Sequence, residues 1–113
     1  MAQEKNFENR IKSFLRSEGI YRLGTSSPKM TVEPCGYYEK RHGNVNNGSG
    51  KADLHIVVNG RSVDIEVKAE KGKATDLQNH LLKQVNDCGG IGFSLYPNNF
   101  DNFKEFIIGL KNV

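Results

Sequence analysis

One dipeptide constrains this chain more than any other feature. Asn59-Gly60 stands between two runs of alternating side chains, Ala52 to Val58 and Arg61 to Ala69. Asn-Gly accepts the left-handed backbone that a two-residue hairpin turn requires, and the twist of that turn matches the twist of the flanking strands. A two-residue loop then sets the register. Val58 faces Arg61, Ile56 faces Val63, Leu54 faces Ile65 and Ala52 faces Val67. Apart from Arg61 at the turn, that face is apolar, and a slip of one residue would turn all of it outward. The opposite face places Asp53 against Glu66 and His55 against Asp64, with Lys68 two residues past Glu66 on the same side.

Directly opposed Cβ atoms lie roughly 4.5–5.5 Å apart, and like charges in that position destabilise a hairpin. Asp53 beside Glu66 therefore needs compensation. Lys68 neutralises part of the charge, and a divalent cation would neutralise the rest, because hard cations bind carboxylate oxygens. Alternation alone also accounts for a polar face that is simply solvated, and both readings stand on periodicity. His55 and Asp64, nearer the turn, read as a surface pair.

The rest of the chain supplies the elements around this hairpin. Phe7, Ile11, Phe14 and Leu15 form one apolar stripe, which predicts a helix from Glu4 to Glu18. Gly19 is placed to end it in a left-handed cap. A short strand, Ile20 to Leu23, follows, then a loop at Gly24 to Pro28, and Met30 to Glu33 offers a further short strand stopped by Pro34. Residues 35–50 hold four glycines and three asparagines and read as a long loop carrying Tyr37, Tyr38, Lys40, Arg41 and His42. Beyond the hairpin, Leu77, Leu81 and Val85, with Leu82 and Cys88 beside them, predict a helix from Thr75 to Cys88. Gly89-Gly90 ends that helix, Ile91 to Leu95 forms a strand, and a last helix runs from Asn99 to Leu110 with Phe100, Phe103 and Phe106 on one side. The order is α-β-β-β-α-β-α, an α/β fold, and the strand-helix-strand crossover implies a parallel pair.

At 113 residues the chain matches a single domain, residues 1–113, of the usual size of about 100–150 residues. Repeats and linkers are absent. No apolar run reaches the ~18–20 residues of a membrane span, and Met1 to Lys5 lacks the apolar core of a signal peptide, which points to the cytoplasm. Cys35 and Cys88 form no CxxC or Cys/His cluster, so they read as free thiols rather than zinc ligands. The net charge of +3 suits a polyanionic partner without demanding one.

Ser49-Gly50-Lys51-Ala52-Asp53-Leu54, followed after the turn by Ile65-Glu66-Val67-Lys68, resembles the signature of the PD-(D/E)XK nucleases. Gly72-Lys73, Gln78 on the next helix and Gly89-Gly90-Ile91-Gly92-Phe93 are similar to the VRR-NUC (virus-type replication-repair nuclease) group, over about Glu4 to Leu95. Ala52 stands where the family name expects proline, a residue that supports the strand rather than the chemistry. The resemblance implies a restriction-endonuclease-like αβββαβ core with helices on a mixed central sheet. It implies that Asp53, Glu66 and the carbonyl of Val67 hold one or two Mg²⁺ ions, with Mn²⁺ able to substitute, and that Lys68 positions the attacking water or stabilises the transition state. It also suggests Glu8 as a supporting carboxylate that helps bind a second metal ion. On a helical wheel Glu8 sits beside Leu15 at the margin of the apolar stripe, although an acidic residue early in a helix also serves the helix dipole.

Gln78 has two candidate jobs: capping its own helix with Thr75, or orienting water or phosphate as in the family. One residue would not easily do both. Lys73, Lys40, Arg41 and Tyr37 are candidate nucleic-acid contacts, since basic groups meet phosphates and aromatic rings stack on unpaired bases; a solvated loop explains them equally well. The expected activity is that of a metal-dependent DNA endonuclease acting on branched DNA such as four-way (Holliday) junctions, as in small stand-alone viral or phage members. Symmetric cutting implies a homodimer, and a phage source implies the host cytoplasm. A flap or restriction-type nuclease, a silent DNA-binding module and a small interaction protein with a chance motif are the alternatives.

Overall fold

The computed structural model describes residues 2–41 and 52–113. Its elements are α1 (Ala2–Ser17), β1 (Ile20–Arg22), β2 (Gly36–Lys40), β3 (Leu54–Val58), β4 (Arg61–Val67), α2 (Asp76–Asp87), β5 (Ile91–Leu95) and α3 (Phe100–Lys111), with short 3₁₀ turns at Ser27–Lys29 and Pro97–Asn99. This is an α/β fold built on one five-stranded mixed sheet in the order β1-β2-β3-β4-β5. The outer pairs β1–β2 and β4–β5 are parallel, and the two inner pairs are antiparallel. No helix among the described residues is long and apolar enough to cross a membrane.

The central hairpin has the register that its turn dictates, with Leu54 on Ile65, His55 on Asp64, Ile56 on Val63 and Val58 on Arg61. Asn59 and Gly60 both take positive φ, 53° and 82°, as a type I′ turn requires. The crossover through α2 returns the chain parallel to β4, so that Val63 lies beside Ile91 and Val67 beside Leu95.

The apolar face of the sheet meets α1 and α3. Phe7, Ile11, Leu15, Phe100, Phe103 and Ile107 pack onto Leu54, Ile56, Val63, Ile65 and Leu95, all buried. The rings of Phe7 and Phe100 meet edge to face with centroids 5.4 Å apart, an arrangement that suits the aromatic quadrupole. Phe100 and Phe103 of the last helix are therefore core residues. α2 packs on the opposite face against β4 and β5, directly above the polar side chains of the hairpin.

Three expectations change. The stretch 35–50 is not all loop: Gly36–Lys40 is a strand, inserted between β1 and β3. It adds a fourth strand before α2. The remainder of that loop reading, with His42 and Ser49-Gly50-Lys51, lies outside the described residues. Met30 to Glu33 is not a strand; Val32 instead bonds the Tyr21 hydroxyl through both its N–H and its carbonyl, at 2.8 and 3.0 Å, so a side chain satisfies the backbone groups that a ladder would have used. Finally, the buried face of α2 is rotated from the expected stripe. Leu82 is buried, Leu81 and Val85 are half-buried, and Leu77 is 49% exposed. The surface beneath α2 is polar, and the helix turns Gln78 toward it.

Candidate functional site

Asp53 lies immediately before β3, and Glu66 and Lys68 lie at the end of β4 and just beyond it. The hairpin register brings them together. Glu66 is only 3% exposed. Its Oε1 accepts a hydrogen bond from Gln78 Nε2 at 2.9 Å and lies 4.0 Å from Lys68 Nζ. Its Oε2 is buried and has no hydrogen-bond partner among the described residues. Burial, followed by the neighbouring Asp53 carboxyl, pushes the pKa of Glu66 up to about 8, against the pull of Lys68. Two carboxylates in one desolvated place cannot both hold their charge without a proton or a cation between them.

Asp53 is fixed by the sheet itself. Its Oδ2 accepts the Val67 N–H at 2.9 Å, and its own carbonyl accepts the Arg41 N–H at 2.7 Å. Lys68 donates its backbone N–H to Leu95 on the other side. A strand residue directs its N–H and C=O to the same side, so the Val67 carbonyl points toward Asp53. Asp53, Glu66 and that carbonyl form an all-oxygen donor set.

Gln78 caps its own helix, the first of its two candidate jobs, and the same side chain also reaches Lys68 and Glu66. Its backbone N–H donates to Thr75 Oγ1 at 3.1 Å, while its side-chain Oε1 accepts from the Thr75 N–H at 2.8 Å, completing a capping box. The same Oε1 accepts from Lys68 Nζ at 3.0 Å, and Nε2 reaches Glu66. A carboxamide oxygen has two lone pairs and the amide two protons, which makes this double use possible.

Glu8 projects from α1 but stands apart from Glu66. Its Oε1 lies 2.6 Å from Lys40 Nζ and its Oε2 3.0 Å from Lys12 Nζ. Burial alone would raise its pKa; the two ammonium groups outweigh burial and hold it below the usual value. Lys40 belongs to β2, not to a loop. It follows Tyr38 by two residues and so shares the face that meets α1, and it also lies 3.7 Å from Asp53 Oδ1. Sequence reading placed Lys40 among groups awaiting DNA; here it is built into the site. Glu4, one helical turn before Glu8, was not singled out, yet its charge contributes to the raised pKa of Glu66. The i, i+4 spacing from Glu8 was the available signal.

The remaining candidates are dispersed. Lys73 is exposed, as expected for a loop lysine. Tyr37 is half-buried on β2 beside Val57, while its neighbour Tyr38 is buried in the core and has no ring face to offer a base. The Arg41 guanidinium is 3.8 Å from Glu39 and 3.9 Å from Asp64, so it is already engaged with acidic groups. With Asp64, Leu81, Leu82 and Val85 it lines a cavity of about 200 Å³ beneath α2. His55 and Asp64 do pair, Nδ1 to Oδ1 at 2.6 Å, but Asp64 is buried, because α2 covers this part of the sheet. Cys35 and Cys88 are free thiols.

Among the described residues no three His, Cys, Asp or Glu side chains surround one point. The pair Asp53 and Glu66 still suits a hard divalent ion such as Mg²⁺, which keeps several waters and needs only one or two protein carboxylates. The unpartnered buried oxygen of Glu66 is the feature that fits such an ion best. Comparison with family models, with curated proteins and with solved structures finds no match for this chain.

Proposed function

We propose that this chain is a metal-dependent phosphodiester hydrolase of the PD-(D/E)XK type, an endonuclease of the VRR-NUC group acting on branched DNA. The observation that carries the reading is the buried Glu66 carboxylate, with one oxygen lacking a hydrogen-bond partner among the described residues, held against Asp53 and within 4.0 Å of Lys68. Burying two carboxylates together is costly, and a site that recruits a cation gives that arrangement a use.

Asp53, Glu66 and the Val67 carbonyl would hold the ion. When bound, Mg²⁺ supplies a Lewis acid that polarises the scissile phosphate and acidifies a water. Lys68 supplies a positive charge beside the carboxylates, placed for the negative charge that develops on the phosphate in the transition state. Gln78 holds the Lys68 ammonium in that position and fixes the rotamer of Glu66. The net charge of +3 favours a polyanionic substrate. The preference for a four-way junction rests on the resemblance to small stand-alone members, and paired cuts across a junction call for a two-fold dimer.

The test is cleavage of a labelled four-way junction, a flap and a linear duplex by the purified chain, each with Mg²⁺, Mn²⁺ or EDTA, alongside Glu66→Gln. Cutting of the junction is expected with either metal and not with EDTA, and Glu66→Gln is expected to abolish it while leaving the fold intact. Cutting of the flap or duplex instead keeps the chemistry and changes the substrate. No cutting of any DNA by folded protein with either metal overturns the assignment.

A further inference from the structure

The two sides of Asp53 are not alike. On the side of Glu66, Oε2 is buried with no hydrogen-bond partner among the described residues, and Lys68 Nζ is 4.0 Å from the other oxygen of that carboxylate and already bonded to Gln78. Glu8 Oε2 likewise lacks a hydrogen-bond donor among the described residues, but Lys12 Nζ stands 3.0 Å from it. On the side of Glu8 the space between the two carboxylates is filled. Lys40 Nζ lies 2.6 Å from Glu8 Oε1 and 3.7 Å from Asp53 Oδ1, bridging α1 to the hairpin. The Lys40 side chain is four-fifths buried. Two carboxylates from separate elements around a single positive charge is the arrangement that a second divalent ion would require, and a lysine of this chain already supplies the charge. Pairing with Leu54 fixes its backbone on β2, and the ammonium is held by its contacts with Glu8 and Asp53. A divalent ion entering between Glu8 and Asp53 would meet a like charge at contact distance, in surroundings where screening by water is reduced.

We propose that Lys40 is a resident cation that takes the place of a second metal, so that the chain binds one divalent ion, between Asp53 and Glu66. This rests on the metal-dependent reading above. The ammonium balances the charge of Glu8 and Asp53, but it has no coordination position to offer a water. Activation of the nucleophile therefore falls to the Asp53–Glu66 side alone. Glu8 is a positioning residue in this scheme: it holds Lys40 and does not touch an ion.

The test counts ions without relying on turnover. Mn²⁺ bound per chain is measured by electron paramagnetic resonance on the wild type, Lys40→Met, Lys40→Arg and Glu66→Gln, with circular dichroism to establish folding. One Mn²⁺ is expected for the wild type and for Lys40→Arg, two for Lys40→Met, and none for Glu66→Gln. Two ions on the wild type overturn the proposal, and that measurement stands even if Lys40→Met does not fold. A folded Lys40→Met that still binds one ion also overturns it. If the wild type binds two ions and cuts DNA with metal, the role of Lys40 fails and the nuclease reading survives. If it binds none and cuts nothing, both fail together.

Discussion

Gln78 occupies both ends of its side-chain amide at once. Its oxygen accepts hydrogen bonds from the Thr75 backbone N–H and from Lys68, and its nitrogen donates one to Glu66. Gln78→Ala removes the returning arm of the capping box and strips a buried carboxylate oxygen of its donor, which together should cost about 1–3 kcal/mol. Gln78→Glu separates the two contributions. It retains an acceptor for Thr75 and Lys68 but sets a further carboxylate against Glu66, so urea denaturation at pH 8 should show a loss of stability at least as large as for Gln78→Ala, with activity falling in both. Equal activity in Gln78→Glu and wild type would remove Gln78 from the site. Much of this was legible in the sequence. The turn at Asn59-Gly60 fixes Asp53 against Glu66 because strand side chains alternate with period two, and Thr75 with Gln78 marks a helix start. The neighbourhood of Lys40 was not legible, since it reaches the site through tertiary packing that no local spacing encodes, whereas Glu4 could be read from its i, i+4 spacing to Glu8.

Among the elements, β2 was hidden and the hairpin was plain, for a physical reason. Gly36–Lys40 buries only Tyr38, because its other face is left half-open where α2 packs chiefly on β5 and β4. A strand buried on a single residue carries no apolar alternation. Met30 to Glu33 shows the converse: Met30 and Val32 alternate, but the segment is held by a tyrosine hydroxyl rather than by a neighbouring strand. The join between α1 and β1 was readable in one glycine. Gly19 has φ +85°, and a Cβ there would lie 2.3 Å from the Glu33 carbonyl oxygen. Gly19→Ala therefore meets both the left-handed penalty of about 1–2 kcal/mol and a backbone collision. Gly24→Ala, at φ +96° with nothing within 4 Å, meets only the first. Chemical denaturation should rank Gly19→Ala as clearly the more destabilised; an equal loss in the two would show that the approach of Glu33 is easily relieved.

For the whole molecule, the site carries a pH signature. Glu66 titrates near 4.5 when unfolded and near 8 when folded, so between these values the native state binds more protons than the unfolded state. By linkage the stability this protonation contributes is present at low pH and is lost as pH rises through about 8. Glu8 has the opposite sign: its lowered folded pKa contributes stability that is lost only as pH falls below 4.5 and through that folded value. The metal-free chain should therefore melt at a lower temperature at pH 8 than at pH 5, and Glu66→Gln should flatten that slope. Mg²⁺ added at pH 8 should restore the wild type and not the variant, because a ligand that binds only the native state stabilises it. A wild-type Tm independent of pH across this window would mean that Glu66 is charged without help. The α/β class and the parallel crossover pair followed from the order of elements, while the position of β2 within the sheet did not, since nothing local distinguishes one edge from another.

α1 and α3 are anchored by rings and branched chains driven into the sheet, whereas α2 has Leu82 as its only buried residue. Segments with little buried apolar surface are the first to detach in native-state fluctuations. The free energy that separates the closed site from a hydrated one is therefore a local quantity, set by Leu82, Gln78, the Thr75 cap and the paired hydrogen bonds between Asn86 and Gly92, and largely independent of what holds the rest of the chain together. Amide hydrogen exchange should accordingly be faster in α2 than in α1 and α3, with water reaching Glu66 and Lys68 while the phenylalanine core stays shut. Changes that strengthen that core would raise the melting temperature and leave the accessibility of the two carboxylates where it was.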